Sequence, residues 1–146
     1  MVNSTKSEPA DVVSGVPQGY VLGPLIFLVL LGDIDTDLIA TSVSSFADDS
    51  RVIGAVNSES DIVHIQHDLD TIYKWSEANN MQFNSTKFEC VRYGANLNIK
   101  NATSYLSDTG KEIEENSSVR DLGVTMTDDA NFHLHITNVV KSDSQK

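Results

Sequence analysis

The amino-acid sequence predicts an α+β fold of short strands and helices around one core. Three observations carry that expectation. Ile62, Ile65, Leu69, Ile72 and Trp75 recur at helical spacing. Two β-like runs, Val43 to Phe46 and Arg51 to Val56, lie so close together that a tight hairpin is the natural link. From Phe83 onward the apolar residues come in short β-like pieces. A chain of 146 residues, 40% hydrophobic, is long and apolar enough for one such domain.

Taken in order, residues 1–11 are polar, mixed in charge and without period, and read as a flexible lead-in. Gly15, Pro17 and Gly19 punctuate a shaped loop, after which Pro24 suits the first turn of a buried helix through Leu31. Asp33, Asp35 and Asp37 form a solvated acidic exit from it. The two hairpin strands follow, with Asp48-Asp49 at the tip. Ser58 with Asp61 three residues later is a capping box that opens an amphipathic helix to about Ala78. Beyond it come β-like pieces at Glu89 to Tyr93, at Ser104 to Leu106 and Glu112 to Ile113 about the turn Asp108-Thr109-Gly110, and at Arg120 to Met126. Asp128-Asp129 is expected to cap a last helix through Val140, followed by a polar tail.

Charge narrows the function classes. Lys and Arg number 10 against 21 Asp and Glu, a net charge of -11, which repels phosphate backbones unless metal ions or another segment supply positive charge. The only cysteine is Cys90, so no intrachain disulfide forms, and a reducing, intracellular compartment is expected, nuclear or cytoplasmic. The apolar run Leu25 to Leu31 falls far short of the roughly 20 residues that span a bilayer. No membrane association and no signal peptide are expected, and the sequons at Asn3, Asn84, Asn101 and Asn116 carry little weight in a chain rich in Asn, Ser and Thr.

The chemistry-bearing feature is Asp48-Asp49. Two-residue hairpin loops favour Asn-Gly or Asp-Gly, and adjacent aspartates add repulsion, so the pair is a local misfit of the kind that marks function. Paired carboxylates on a rigid turn suit Mg²⁺, which takes one or two protein carboxylates beside substrate phosphates. A solvated turn explains the same residues without chemistry. By spacing alone, Lys87 is a surface lysine, and Gln18 and Gly19 shape a turn. His133-x-His135 makes a poor zinc site, because helix positions two apart do not share a face.

Several motifs in order add to this. Ser14-Gly15-Val16-Pro17-Gln18-Gly19, then Val21-Leu22-Gly23-Pro24-Leu25, closely resembles the segment before the catalytic turn of non-LTR (LINE-type) retrotransposon reverse transcriptases, and Phe46-Ala47-Asp48-Asp49 resembles that turn. Trp75-Ser76, Asn84-Ser85-Thr86-Lys87, Asp121-Leu122-Gly123-Val124, Asp128-Asp129 and His135-Ile136 follow in the family's order. The resemblance covers 13–141. It implies a partial polymerase palm at 12–94, a primer-grip and start-of-thumb-like region at 95–141, and a tail at 142–146.

The resemblance further implies that Asp48 ligates a catalytic Mg²⁺ or Mn²⁺, with Asp49 as a secondary carboxylate and Lys87 near the leaving pyrophosphate. Pro17, Gln18, Gly19, Phe46 and Ala47 would border the incoming nucleotide and template, and Leu122-Gly123 would grip the primer end. RNA template, DNA primer and dNTP are the implied partners. Two-metal nucleotidyl transfer needs carboxylates from separate segments holding ions about 3.5–4 Å apart. The family's other catalytic aspartate lies well before the Gly-Val-Pro-Gln-Gly motif, where this chain has no counterpart, and the basic fingers are likewise unmatched. Tyr20 stands where the family has a small serine. The expectation is a polymerase fragment that is inactive alone; the alternative is a non-catalytic relic acting at most as a binding module.

Overall fold

The computed structural model describes residues 11, 19, 21–94 and 104–143. Its backbone is organised on the helix with the clearest periodicity. That helix, α2, spans Glu59–Ala78 and follows α1 at Gly23–Leu31. At its start, Asp61 Oδ2 accepts hydrogen bonds from the N–H groups of Asn57 and Ser58 and from the Ser58 hydroxyl, at 2.8, 2.9 and 3.0 Å. Donors at the helix entrance are thereby satisfied, as the capping box requires, and the bonds from Asn57 and Ser58 hold the Asp61 carboxyl below its usual range. The helix ends in a Schellman motif. Met81 N–H reaches Ser76 O at 2.8 Å and Asn80 N–H reaches Glu77 O at 3.1 Å, with Asn80 at φ 53, a conformation asparagine tolerates.

Pro24 sits in the first turn of α1, as its fixed φ favours. The expectation that this helix is buried is corrected: only Gly23 and Leu31 are, Leu25, Leu28 and Val29 are more than half exposed, and Val21 just ahead is 95% exposed. A helix apolar on every side has more surface than one neighbouring layer covers. What cover there is comes at its C-terminal end, where Leu31, Ile34 and Ile72 form a small core with Phe27, Leu38, Val43, Trp75, Met81 and Phe83 around it. Asp33, Asp35 and Asp37 are exposed in successive turns, and Asp33 Oδ1 accepts the Trp75 indole N–H at 2.9 Å, tying this exit to α2.

The strands make three separate pairs. β1 (Thr41–Phe46) runs antiparallel to β2 (Asp49–Gly54), each starting two residues earlier than the sequence suggests. β3 is only Glu89–Cys90, shorter than the expected piece through Tyr93, and pairs in parallel with β4 (Glu114–Glu115). Between them Leu106 and Glu112 bridge about the turn at Asp108-Thr109-Gly110, as expected. The single strand expected at Arg120 to Met126 is instead a hairpin, β5 (Ser118–Asp121) with β6 (Val124–Thr127). No ladder joins the three pairs among the described residues, so the α+β class stands, with the strands in two hairpins and one short parallel pair.

α3, His133–Asp143, begins later than expected. Asp128-Asp129 belongs to the preceding turn, where Asp129 Oδ1 accepts Asn131 N–H at 3.0 Å, and Asn131 Oδ1 then accepts His133 N–H at 2.8 Å. Asparagine rather than aspartate therefore serves the helix start. His135 Nδ1 accepts the Thr125 N–H at 3.4 Å, which docks α3 on β6. Among the described residues no helix is long and apolar enough to cross a membrane.

Candidate active site

The carboxylate turn is built by the β1–β2 register. Phe46 pairs with Asp49, leaving Ala47 and Asp48 as the two loop residues. The expectation that Asp48-Asp49 is the tip is thus shifted by one position. Ala47 carries the positive φ of 52 and Asp48 does not, which is the pattern of a type II′ turn. The strain that Asp-Asp was expected to bear is borne by an alanine. Asp48 occupies the second turn position, Asp49 is the first residue of β2, and both are exposed, as is Phe46.

The base of this hairpin is fixed from α2. Asp68 is 0% exposed. Its Oδ1 accepts Ile39 N–H at 3.0 Å, and its Oδ2 accepts Ala40 N–H, Thr41 N–H and the Thr41 hydroxyl at 2.8, 2.8 and 2.9 Å. Burial pushes the Asp68 carboxyl up, but the bonds from Ile39, Ala40 and Thr41 outweigh it and hold the pKa below the usual range. A buried carboxylate persists only with such partners. Beside it, a Cβ on Gly54 would stand 2.8 Å from Ile65 Cδ1 and 3.1 Å from Thr41 Cγ2, so the missing side chain lets strand and helix meet. From this anchored base β1 carries the turn about 17 Å outward.

Lys87 closes a single 3-10 turn at Ser85–Lys87, capped by Asn84 Oδ1, which accepts Thr86 N–H at 3.3 Å. That turn is held by its flanks: Phe83 and Phe88 pack on Tyr73 of α2 with ring centroids 6.4 and 5.9 Å away. Among the described residues no ion pair joins Lys87 to the carboxylate turn. Leu122 and Gly123, with φ 47 and 86, are the loop of the β5–β6 hairpin, the two positive values of a type I′ turn. The two hairpins are brought together by Arg51 Nε, 2.7 Å from Asp121 Oδ2. Gly19 has φ 83, while Pro17 and Gln18 lie outside the described residues.

Sequence reasoning passed over Asp68, Gly54 and Arg51. Asp68 had a signal: it falls three residues after Ile65 and four before Ile72, on the apolar stripe, where a carboxylate demands a partner. Asp48 and Asp49 offer hard oxygen donors from a constrained turn, which fits part of a Mg²⁺ or Mn²⁺ shell. No group of three or more His, Cys, Asp or Glu side chains that could hold a metal occurs among the described residues.

An exposed carboxylate turn followed in the chain by Lys87 and a second tight hairpin keeps the order in which the motifs resembling those of non-LTR reverse transcriptases run along the sequence. Comparison with known proteins agrees: the family model described as reverse transcriptase (RNA-dependent DNA polymerase) matches residues 1–126. The chain belongs to the reverse transcriptase family. It is 31% identical to the RNA-directed DNA polymerase from mobile element jockey of Drosophila melanogaster, over 94% of this chain and 16% of that protein. It is 25% identical to the Retrovirus-related Pol polyprotein from type-1 retrotransposable element R1 of Bradysia coprophila, over 86% of this chain and 13% of that one. The chain therefore spans less than a fifth of either relative, and the likeness to non-LTR retrotransposon polymerases is borne out. No solved structure matches.

Proposed function

We propose that the chain is a palm fragment of a non-LTR retrotransposon RNA-directed DNA polymerase, contributing one of the two carboxylate segments of its nucleotidyl-transfer site. The observation that supports this most is the exposed Asp48-Asp49 turn on a hairpin anchored by Asp68. Asp48 is the direct ligand for Mg²⁺ or Mn²⁺ and Asp49 the neighbouring carboxylate. When bound, the divalent ions activate the primer 3′-hydroxyl and neutralise the leaving oxygen. Lys87 supplies an ammonium toward the pyrophosphate. Pro17, Gln18 and Gly19, with Phe46 and Ala47, border the incoming dNTP and RNA template, glycine admitting close backbone approach. Leu122-Gly123 meets the DNA primer end.

The other carboxylate and the basic fingers come from polymerase outside these 146 residues, in keeping with the net charge of -11. A second reading, a relic without catalysis, is favoured by the sequence itself, which has the bulky Tyr20 at a position where the family has a small serine. Primer extension on an RNA template with Mg²⁺ separates them. The chain alone is expected to extend nothing. Supplied with the upstream fingers and palm segment of a jockey-type polymerase it is expected to extend the primer, and Asp48→Ala to abolish this. Extension by the chain alone, or extension indifferent to Asp48→Ala, would overturn the proposal; failure to extend with the segment supplied, and after Tyr20→Ser restores it, would identify the ring as the lesion.

A further inference from the structure

The carboxylate turn and the Leu122-Gly123 turn sit on two hairpins that share no backbone ladder. A two-stranded hairpin alone is marginally stable and free to sway against its neighbours. What ties these two together is Arg51 on β2 and Asp121 on β5, whose Nε and Oδ2 are 2.7 Å apart. The positions are telling. Arg51 is the third residue of β2, two beyond Asp49, and Asp121 immediately precedes Leu122. The Asp121 side chain is 14% exposed and the Arg51 side chain 45% exposed, so the pair is better shielded from solvent than an ordinary surface bridge.

We infer that Arg51 and Asp121 are positioning residues, a strap that fixes the separation between the carboxylate turn and the turn assigned to the primer end. The inference rests on the proposed function for its meaning, though not for its geometry. Nucleotidyl transfer requires the primer hydroxyl and the metal-binding carboxylates to be held within about 0.5 Å of their productive separation. Neither hairpin sets that separation by itself, because each is anchored elsewhere: β1–β2 through Asp68 and Gly54 on α2, β5–β6 through Thr125 and His135 on α3. A charged pair at the foot of both turns couples them directly. Arginine suits the task, since its planar guanidinium keeps direction as well as charge.

The test places nitroxide labels at Ser42→Cys on β1 and Arg120→Cys on β5 in a Cys90→Ser background of the full chain, and reads the interlabel distance by pulsed EPR. The parent is expected to give one narrow distribution. Arg51→Gln and Asp121→Asn are each expected to lose it, the double variant to be no worse than either single one, and the charge-exchanged pair Arg51→Asp with Asp121→Arg to recover it. The helical circular-dichroism signal of the chain is expected to stay unchanged throughout, which an unfolding effect would not allow. A narrow distribution surviving both single substitutions, additive losses in the double variant, or loss only together with helix signal would each overturn the inference. Mn²⁺-induced broadening of the amide signals of Phe46–Ser50 in the same chain reads the underlying proposal separately. If the strap holds and that broadening is missing, the metal assignment fails and the coupling stands without a catalytic meaning.

Discussion

Replacing Asp68 by asparagine keeps the shape of the side chain and removes its charge. In the structure one carboxylate oxygen takes the Ile39 N–H, and the other takes two N–H groups and the Thr41 hydroxyl. The asparagine oxygen can serve the three-bond side, but its amide group then faces the Ile39 N–H, donor against donor. One bond is lost and three lose their ionic component, so Asp68→Asn is expected to destabilise the fold by about 2–4 kcal/mol. Asp68→Ala leaves three N–H groups without their acceptor and is expected to cost about 3–5 kcal/mol. Against the roughly 5–15 kcal/mol that holds a domain together, either is a large fraction.

Urea unfolding followed by circular dichroism measures this, and hydrogen exchange of the Ile39, Ala40 and Thr41 amides localises it. The pH dependence has a definite sign. The folded pKa lies below the ordinary carboxylate range, so the contribution of Asp68 is fully present at and above that range. It is lost as the pH falls through the lower folded pKa. Asp68→Asn is expected to flatten that acid limb. A stability change within about 0.5 kcal/mol for Asp68→Asn, the range of a neutral surface substitution, would refute the reasoning.

Two further substitutions probe the same hairpin. Gly54→Ala places a methyl 2.8 Å from Ile65 Cδ1 and is expected to destabilise by about 1–3 kcal/mol by urea unfolding, with Gly54→Ala/Ile65→Val recovering part of it. Ala47→Gly removes a Cβ from a residue at φ 52 and is expected to stabilise or leave unchanged, within about 1 kcal/mol, where Ala47→Val is expected to destabilise. Loss of stability on Ala47→Gly would contradict the turn assignment.

Legibility in the sequence followed the range of the forces. The capping box at Ser58 and Asp61 and the apolar stripe of α2 are local, and the helix appears where they put it. The hairpin around Phe46-Ala47-Asp48-Asp49 was also readable, yet its exact loop was not, because either Ala47-Asp48 or Asp48-Asp49 fits the strand lengths, and the strands are fixed by distant contacts with α2, where Asp68 takes the Thr41 N–H and Ile65 lies against Gly54. Leu122-Gly123 hid a second hairpin, since leucine at positive φ lacks the Asn-Gly or Asp-Gly signature and the flanking residues continue a β-like run. α1 reads as buried from composition, but composition does not say how much neighbouring surface these residues bring to cover it. Of the candidate site, Asp48 and Asp49 stand out in the sequence as adjacent carboxylates at a hairpin, although only Asp48 is a loop residue. Arg51 was not, because its partner Asp121 lies on another hairpin, and nothing local foretells an ion pair.

The central claim is that Asp48 and Asp49 form a divalent-metal ligand pair, and paramagnetic broadening tests it most directly because weak binding suffices for detection. Mn²⁺ titrated into the isotopically labelled chain is expected to broaden the amide signals of Phe46–Ser50 first, and Asp48→Asn is expected to remove that broadening while leaving the fold intact. Broadening centred instead on Asp33–Asp37 or Asp128–Asp129, or unchanged by Asp48→Asn, would contradict it.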